Sequence, residues 1–210
     1  MKTKCIIIGA GTYGQVYATY LNEKYNVIAF YDNDATLHHK EFFNIPVKGG
    51  DKEALKISKD IEVFVPIGNN AIRTSIIRKF REAGFKTPSF IHEKTIIDKT
   101  VNLGNTVYIL PGTNIMPHAT IGDCTMISMG VNIAHHTTIA DGCFFSQGTN
   151  IGASIQIKEL AYIGISATLM TGVKTIGRNA LIGAGAVVIK DVPDNAVMAG
   201  VPAKLLRYKG

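Results

Sequence analysis

Residues 115–139 read IMPHATIGDCTMISMGVNIAHHTTI, with an isoleucine at every sixth place: Ile115, Ile121, Ile127, Ile133 and Ile139. The beat runs outward in both directions. It reaches back through Ile109 and Leu103 to Ile97, and forward through Phe145, Ile151, Ile157 and Ile163 to Leu169. That is thirteen apolar residues in one register. After one extra residue the beat resumes at Ile176, Ile182 and Val188. Neither an α-helix nor an open strand has a period of six. A short repeat of this kind is the mark of a β-solenoid, in which each six-residue side turns one apolar residue inward. The residue four places further on is small or β-branched at most steps, as at Thr113, Ala119, Val131, Ala167 and Ala186. Glycine often follows the apolar residue, as at Gly104, Gly122, Gly152, Gly164, Gly177 and Gly183, where the lack of a Cβ suits a tight corner.

The chain has 210 residues, 46% of them apolar, enough for one large or two small folded units. No apolar run approaches the roughly 20 residues of a membrane span. The charged start Met1-Lys2-Thr3-Lys4 precedes too short an apolar run for a signal peptide. Three cysteines, Cys5, Cys124 and Cys143, form no CxxC pair and fit a reducing cytoplasm. Cys5 falls in an expected buried strand, and Cys143 takes the small-residue place of its hexad. No spacing of His or Cys suggests a metal site. His38, His39, His92 and His118 are expected to be surface or junction residues. The net charge is +6, but Lys and Arg are scattered, which argues against nucleic acid and suits an anionic small molecule.

The N-terminal part has another rhythm. Residues 4–8 read as a buried strand, followed by the turn Gly9-Ala10-Gly11-Thr12-Tyr13-Gly14 and a helix over 15–22. A second strand over 27–31 ends at Asp32. Glycines between strand and helix let a phosphate approach the helix N-terminus, where free N–H groups and the helix dipole favour anions. Residues 45–47 read as a short extended piece and 51–57 as a helix. A third strand covers 62–67, closed by Gly68-Asn69-Asn70, and a helix covers 71–83 with Ile72, Ile76, Ile77 and Phe80 at helical spacing. The expected domains are therefore 1–92, a small α/β unit, and 93–210, the solenoid. Beyond Val188 the repeat is expected to stop, leaving a turn-rich exit and a short basic tail. A glycine turn with no ligand and a nicotinamide site remain alternatives. The unit is short for a full dinucleotide fold.

The whole arrangement resembles the hexapeptide-repeat nucleotide-sugar N-acetyltransferases of bacterial glycan synthesis, which acylate 4-amino-4,6-dideoxy sugars. The resemblance covers the full chain. It runs through the Gly9–Gly14 turn, Phe30-Tyr31-Asp32-Asn33, Ile67-Gly68-Asn69-Asn70 with Arg73, Ile91-His92, the hexads and Gly200-Val201-Pro202-Ala203-Lys204. It implies a Rossmann-like N-terminal domain that holds a nucleotide sugar and a C-terminal left-handed parallel β-helix. It also implies a cytoplasmic homotrimer that uses acetyl-CoA and needs no metal, nucleic acid or membrane. Carried onto matching positions, Gly11, Thr12 and Tyr13 lie beside the sugar nucleotide, Asp32 and Asn33 contact base or ribose, and Gly68 lines the same pocket. Tyr13 stands where the family often has His.

His135 lies two places past the inward Ile133, so it should project outward. As residues alone, His135 and His136 read equally as a solvated surface pair. The resemblance makes His135 the general base and Ala153 the backbone N–H that stabilises the oxyanion. The family's usual acidic residue after the base is here His136, and its second histidine, which contacts the acetyl donor, is here Phe144. Ser128 is a candidate to orient His135 instead. Gly164, Ile165 and Ala184 are the expected backbone contacts of coenzyme A, with Lys190, Lys204 and Arg207 as charges for its phosphates. The expected activity is N-acetylation of a dTDP-, UDP- or GDP-linked 4-amino sugar. The alternatives are an acyltransferase with another donor or a hydroxyl acceptor, and a non-catalytic nucleotide-sugar-binding scaffold.

Overall fold

The computed structural model describes residues 2–210. The chain divides into two compact units, the first ending at Pro88 and the second running from Ser89 to Gly210. In the first, three parallel strands, Thr3–Ile8, Tyr25–Tyr31 and Glu62–Phe64, form a sheet with the first strand in the centre. The central strand is buried from Cys5 onward, as an all-parallel sheet requires. Burial, and next the charge of Glu62, push the Cys5 thiol up to about 12. Helices Thr12–Lys24 and Asn70–Glu82 contribute Tyr17, Leu21, Ile77 and Phe80 to the core. The helix at 51 is only the four residues Asp51–Ala54, and Ile45–Pro46 pairs with Glu41–Phe42 as a small hairpin.

The helix Asn70–Glu82 does not turn all its isoleucines inward. Ile72 is 50% exposed, whereas Arg73 is fully buried. The Arg73 guanidinium donates to the Ile67 carbonyl at 2.8 Å and to Asn70 Oδ1 at 2.9 Å. Those bonds tie the helix to the loop that closes the third strand.

The second unit is a three-sided parallel β-helix, the left-handed coil that the family resemblance implies. Two-residue strands from Phe90–Ile91 to Val187–Val188 stack in three parallel sheets. Residues 18 apart pair, as in Asn114↔Asn132↔Asn150. The inward residues from Ile109 to Val188 are almost wholly buried. Three such side chains per coil contribute about 5–9 kcal/mol of apolar burial. Interior hydroxyls bond to the coil itself: Thr113 donates to the Ser128 carbonyl at 2.9 Å and Thr137 to the Gly152 carbonyl at 2.8 Å.

The corners have two separate requirements. At Gly122 an added Cβ would lie 2.6 Å from the Ala140 carbonyl carbon, so the next coil excludes a side chain. Two places later the backbone is left-handed, with φ +62° at His118, +58° at Cys124 and +58° at His136. Gly, Asn and His are among the residues that tolerate that conformation best.

The solenoid is longer at both ends than the hexads alone suggest. Phe90–Ile91 stacks on Tyr108–Ile109, so the division falls at Pro88, four residues before the expected 92/93 junction. The repeat also does not stop at Val188. Val192 is buried and bridges Ile176, and Ala196–Ala199 stacks in parallel on Leu181–Ile182. Its partner Lys204–Tyr208 folds back antiparallel as the sheet edge. The extra residue near 170 is absorbed at Thr171–Val173, with Gly172 at φ +103°.

Candidate active site

The first unit carries a cavity of about 330 Å³ at the carboxyl ends of its strands. Gly11, Thr12, Tyr13, Asp32 and Gly68 all line it. Gly14 is required by packing, since a Cβ there would lie 1.9 Å from the Gly9 carbonyl oxygen. Gly11 is different: nothing stands within 4 Å of its missing Cβ, so that space belongs to the cavity. No side chain caps the helix Thr12–Lys24, and its first turn has no acidic residue. Its N-terminal N–H groups are therefore open to an anion.

Asp32 has a structural task in this pocket. One carboxylate oxygen accepts from the Ala10 N–H at 2.8 Å and the other from the Asp34 N–H at 2.9 Å. The side chain fastens the glycine turn to the loop after the second strand. Asn33 does not line the cavity. It is exposed, and its Oδ1 accepts from the Asp51 N–H at 3.0 Å, at the start of the short helix.

The second unit carries the candidate base. His135 and His136 are both exposed at the corner after Asn132–Ile133. Their Nδ1 atoms are 3.0 Å apart and the rings meet edge-on, with centroids 5.1 Å apart at 87°. Beside this corner lies a groove of about 380 Å³. Its floor is a ladder of amides: Asn114 Nδ2 donates to Asn132 Oδ1 at 3.0 Å, and Asn132 Nδ2 to Asn150 Oδ1 at 2.9 Å. Met116, Ala134 and Met170 line its rim.

Ser128 does not orient His135. It sits at a different corner, after Met126–Ile127, and is 2% exposed, its hydroxyl buried without a hydrogen-bond partner. The position one coil below His135 is Pro117, because one coil is three hexads, 18 residues. Ala153 is one coil above His135, and its N–H donates to Thr171 Oγ1 at 3.2 Å. Phe144 is 1% exposed and stacks face to face on Tyr162, centroids 4.9 Å apart and 6° from parallel. Within the single chain it is a packing residue.

Gly164, Ile165 and Ala184 come together on adjacent coils, with the Gly185 N–H donating to the Ile165 carbonyl at 2.7 Å. Ile165 and Ala184 are exposed. A Cβ on Gly164 would lie 2.7 Å from the Ile182 carbonyl oxygen, so only glycine fits there. This corner and the His135 corner bound opposite edges of one face of the prism. Lys190, Lys204 and Arg207 are exposed near the end of the coil.

His118, the amide ladder and Thr171 are three features of the site beyond the expected residues. The signal for the first two was present as an 18-residue spacing: 118 to 136, and 114 to 132 to 150. Among the described residues, no grouping of three or more His, Cys, Asp or Glu is arranged to hold a metal ion. No helix among them is long and apolar enough to cross a membrane.

A glycine-turn pocket on a small α/β unit, joined in one chain to a hexapeptide-repeat coil with exposed histidines, defines the class of hexapeptide-repeat transferases. The comparisons with known proteins agree. Residues 4–80 match the PglD N-terminal domain. The structure of PerB from Caulobacter crescentus in complex with CoA and GDP-perosamine is 30% identical over 99% of this chain and 97% of that one, with a TM-score of 0.89. The acetyltransferase domain of PglB from Neisseria gonorrhoeae is 26% identical over 98% of this chain and 100% of that one, with a TM-score of 0.67. The chain belongs to the sugar N-acetyltransferases of the hexapeptide-repeat superfamily. The galactoside O-acetyltransferase of Escherichia coli is 47% identical over 53 residues, 25% of this chain and 26% of that protein. The chain thus spans about a quarter of the length of the curated relatives it matches.

Proposed function

We propose that this chain transfers the acetyl group of acetyl-coenzyme A to the 4-amino group of a nucleotide-linked 4-amino-4,6-dideoxyhexose. It does so as a cytoplasmic homotrimer in O-antigen or related glycan synthesis. The observation that supports this most is the full-length similarity to a protein whose structure holds CoA and GDP-perosamine.

The nucleotide diphosphate binds at the Gly9–Gly14 turn, where Gly11 leaves room and the helix N–H groups face the anion. Thr12, Tyr13 and Gly68 line the same space. Asp32, on the cavity wall, would read the base or ribose, and Asn33 beside it lies outside the cavity. The chemistry falls to His135. A sugar amine near neutral pH is largely protonated and has no free electron pair for attack. The 3.0 Å contact between the two Nδ1 atoms needs one hydrogen between them. When His135 donates it, its Nε2 keeps a lone pair and can take a proton from the amine. Imidazole suits this task because its reference pKa of about 6.5 lies near the working pH.

The amine nitrogen then forms its bond to the acetyl carbonyl carbon. The oxygen takes the negative charge and is stabilised by the Ala153 N–H, which Thr171 Oγ1 occupies in the resting chain. Collapse breaks the carbon–sulfur bond, the excess proton on the nitrogen passes to the departing thiolate, and the amide and the free thiol of coenzyme A result. Backbone groups of Gly164, Ile165 and Ala184 hold the pantetheine arm, with Phe144 packed behind, and Lys190, Lys204 and Arg207 offset the phosphate charge. Because those corners are one prism face away from His135 within a chain, a trimer is expected to complete the site between neighbours.

A hydroxyl acceptor is the second reading, favoured by the partial match to a galactoside O-acetyltransferase. Thiol release from acetyl-coenzyme A, measured with dTDP-, UDP- and GDP-linked 4-amino sugars and their 4-hydroxy counterparts, separates the readings. Turnover with at least one amino sugar and none with its hydroxyl counterpart is expected. Turnover with the hydroxyl sugars alone supports the second reading. No thiol release with any sugar indicates a non-catalytic scaffold.

A further inference from the structure

His118 stands one coil below His136 and takes the same left-handed corner position. The shared backbone conformation points both imidazoles outward in register. Their rings lie 4.9 Å apart at 42°. His136 in turn meets His135 through the Nδ1 pair at 3.0 Å. The three rings form a continuous run of contacts along one edge of the prism. At its foot, the His118 N–H donates to Thr100 Oγ1 at 2.8 Å, and the Thr100 hydroxyl donates to Asp98 Oδ1 at 2.6 Å. Asp98 is a carboxylate held below its usual range first by the Thr100 hydroxyl and then by the Thr100 N–H, with smaller contributions from the charges of Lys99 and His118.

We propose that His118 is a positioning residue for the general base, acting through His136. The proposal rests on the reading of His135 as that base. His136 is exposed, so little besides this stack fixes its ring. Its Nδ1 must face His135 and must be unprotonated for His135 to donate Nδ1–H and keep a lone pair on Nε2. The reverse arrangement puts the His135 hydrogen on Nε2 and removes the base. His118 supports the first arrangement through its ring, which packs against His136 and limits rotation. The groups around the three rings are His135 beside His136, and Asp98 and Lys99 on the coil beneath His118.

The test uses full-length protein labelled with ¹⁵N-histidine. Long-range proton–nitrogen spectra report which ring nitrogen of His135 carries hydrogen, whether or not the protein turns over substrate. His118→Asn removes the ring while tolerating the left-handed backbone; His118→Phe keeps a stacking ring but no titrating group. Wild type is expected to show His135 with hydrogen on Nδ1. In His118→Asn that preference is lost and kcat falls about threefold to tenfold, the worth of one hydrogen bond, with KM unchanged. His118→Phe is expected to keep the Nδ1 tautomer and the plateau kcat. An unchanged tautomer and kcat in His118→Asn would overturn the proposal. So would a His118→Phe variant that loses as much as His118→Asn. If His135→Asn remains active while the tautomer still depends on residue 118, the base assignment fails and the positioning role stands.

Discussion

Two glycines in the same turn should respond in opposite ways to the same methyl group. Gly14 packs against Gly9, and a Cβ there would stand 1.9 Å from the Gly9 carbonyl oxygen, about 1 Å inside any normal contact. The carbonyl cannot retreat easily, because the Gly9 N–H is held by the Tyr31 carbonyl at 2.7 Å. Either the helix Thr12–Lys24 lifts or the turn deforms. Overpacking of this kind costs about 2–4 kcal/mol. For a unit of this size that lowers its melting temperature by roughly 8–16 °C at the lower figure. Gly11 has φ −68° and nothing within 4 Å of its missing Cβ, so alanine is compatible with the fold there. The methyl group of Gly11→Ala meets the ligand instead, weakening nucleotide-sugar binding by about 5- to 150-fold, or 1–3 kcal/mol. Calorimetric melting and titration with the cognate nucleotide sugar measure the two effects separately. A Gly14→Ala protein as stable as wild type, or a Gly11→Ala protein that folds and binds as tightly as wild type, would refute this account of the pocket.

Other outcomes follow from the second unit. His136→Asp places a negative charge beside His135, which favours its protonated form, so the acid limb of the pH–rate profile should move to higher pH; an unchanged profile would uncouple position 136 from the base. Phe144→Ala should cost about 3–5 kcal/mol of stability by opening a cavity against Tyr162, seen as a lower denaturant midpoint at constant slope. If the site is completed between subunits, co-assembled His135→Asn and Gly11→Trp chains should recover about a quarter of wild-type activity, because a mixed ring has one intact interface in three and roughly three quarters of random trimers are mixed. Mixed trimers that form and stay inactive would place pocket and base in one chain.

The coil was legible because its inward position recurs at a fixed interval, and each occurrence is an isoleucine or its equivalent. Its ends were harder to read because the rule changes there: Val192 and Val197 leave the six-residue beat yet continue the stack. Ile91 keeps the beat but follows a loop of the first unit. The glycine-turn pocket was legible as a local motif, and Gly11, Thr12, Tyr13, Asp32 and Gly68 do converge. What local reasoning missed is register between coils. Ser128 is expected one coil back from His135, but neighbours in a solenoid are 18 residues apart, and that arithmetic selects Pro117 below His135 and His118 below His136. Helical spacing grouped Ile72 with the apolar face, yet Ile72 is exposed and its neighbour Arg73 is buried, where the loop carbonyl of Ile67 supplies a partner for the guanidinium.

The central claim is that His135 removes the proton from the acceptor amine. The most direct test compares kcat/KM of wild type and His135→Asn for coenzyme A release with the best nucleotide-linked 4-amino sugar, across pH and at saturating acetyl-coenzyme A. Because His135 is exposed, the variant should fold and melt like wild type. Its rate should be about 10²- to 10⁴-fold lower and should lose the acid limb attributed to the base. A folded His135→Asn protein that turns over near the wild-type rate with the same pH profile would contradict the account.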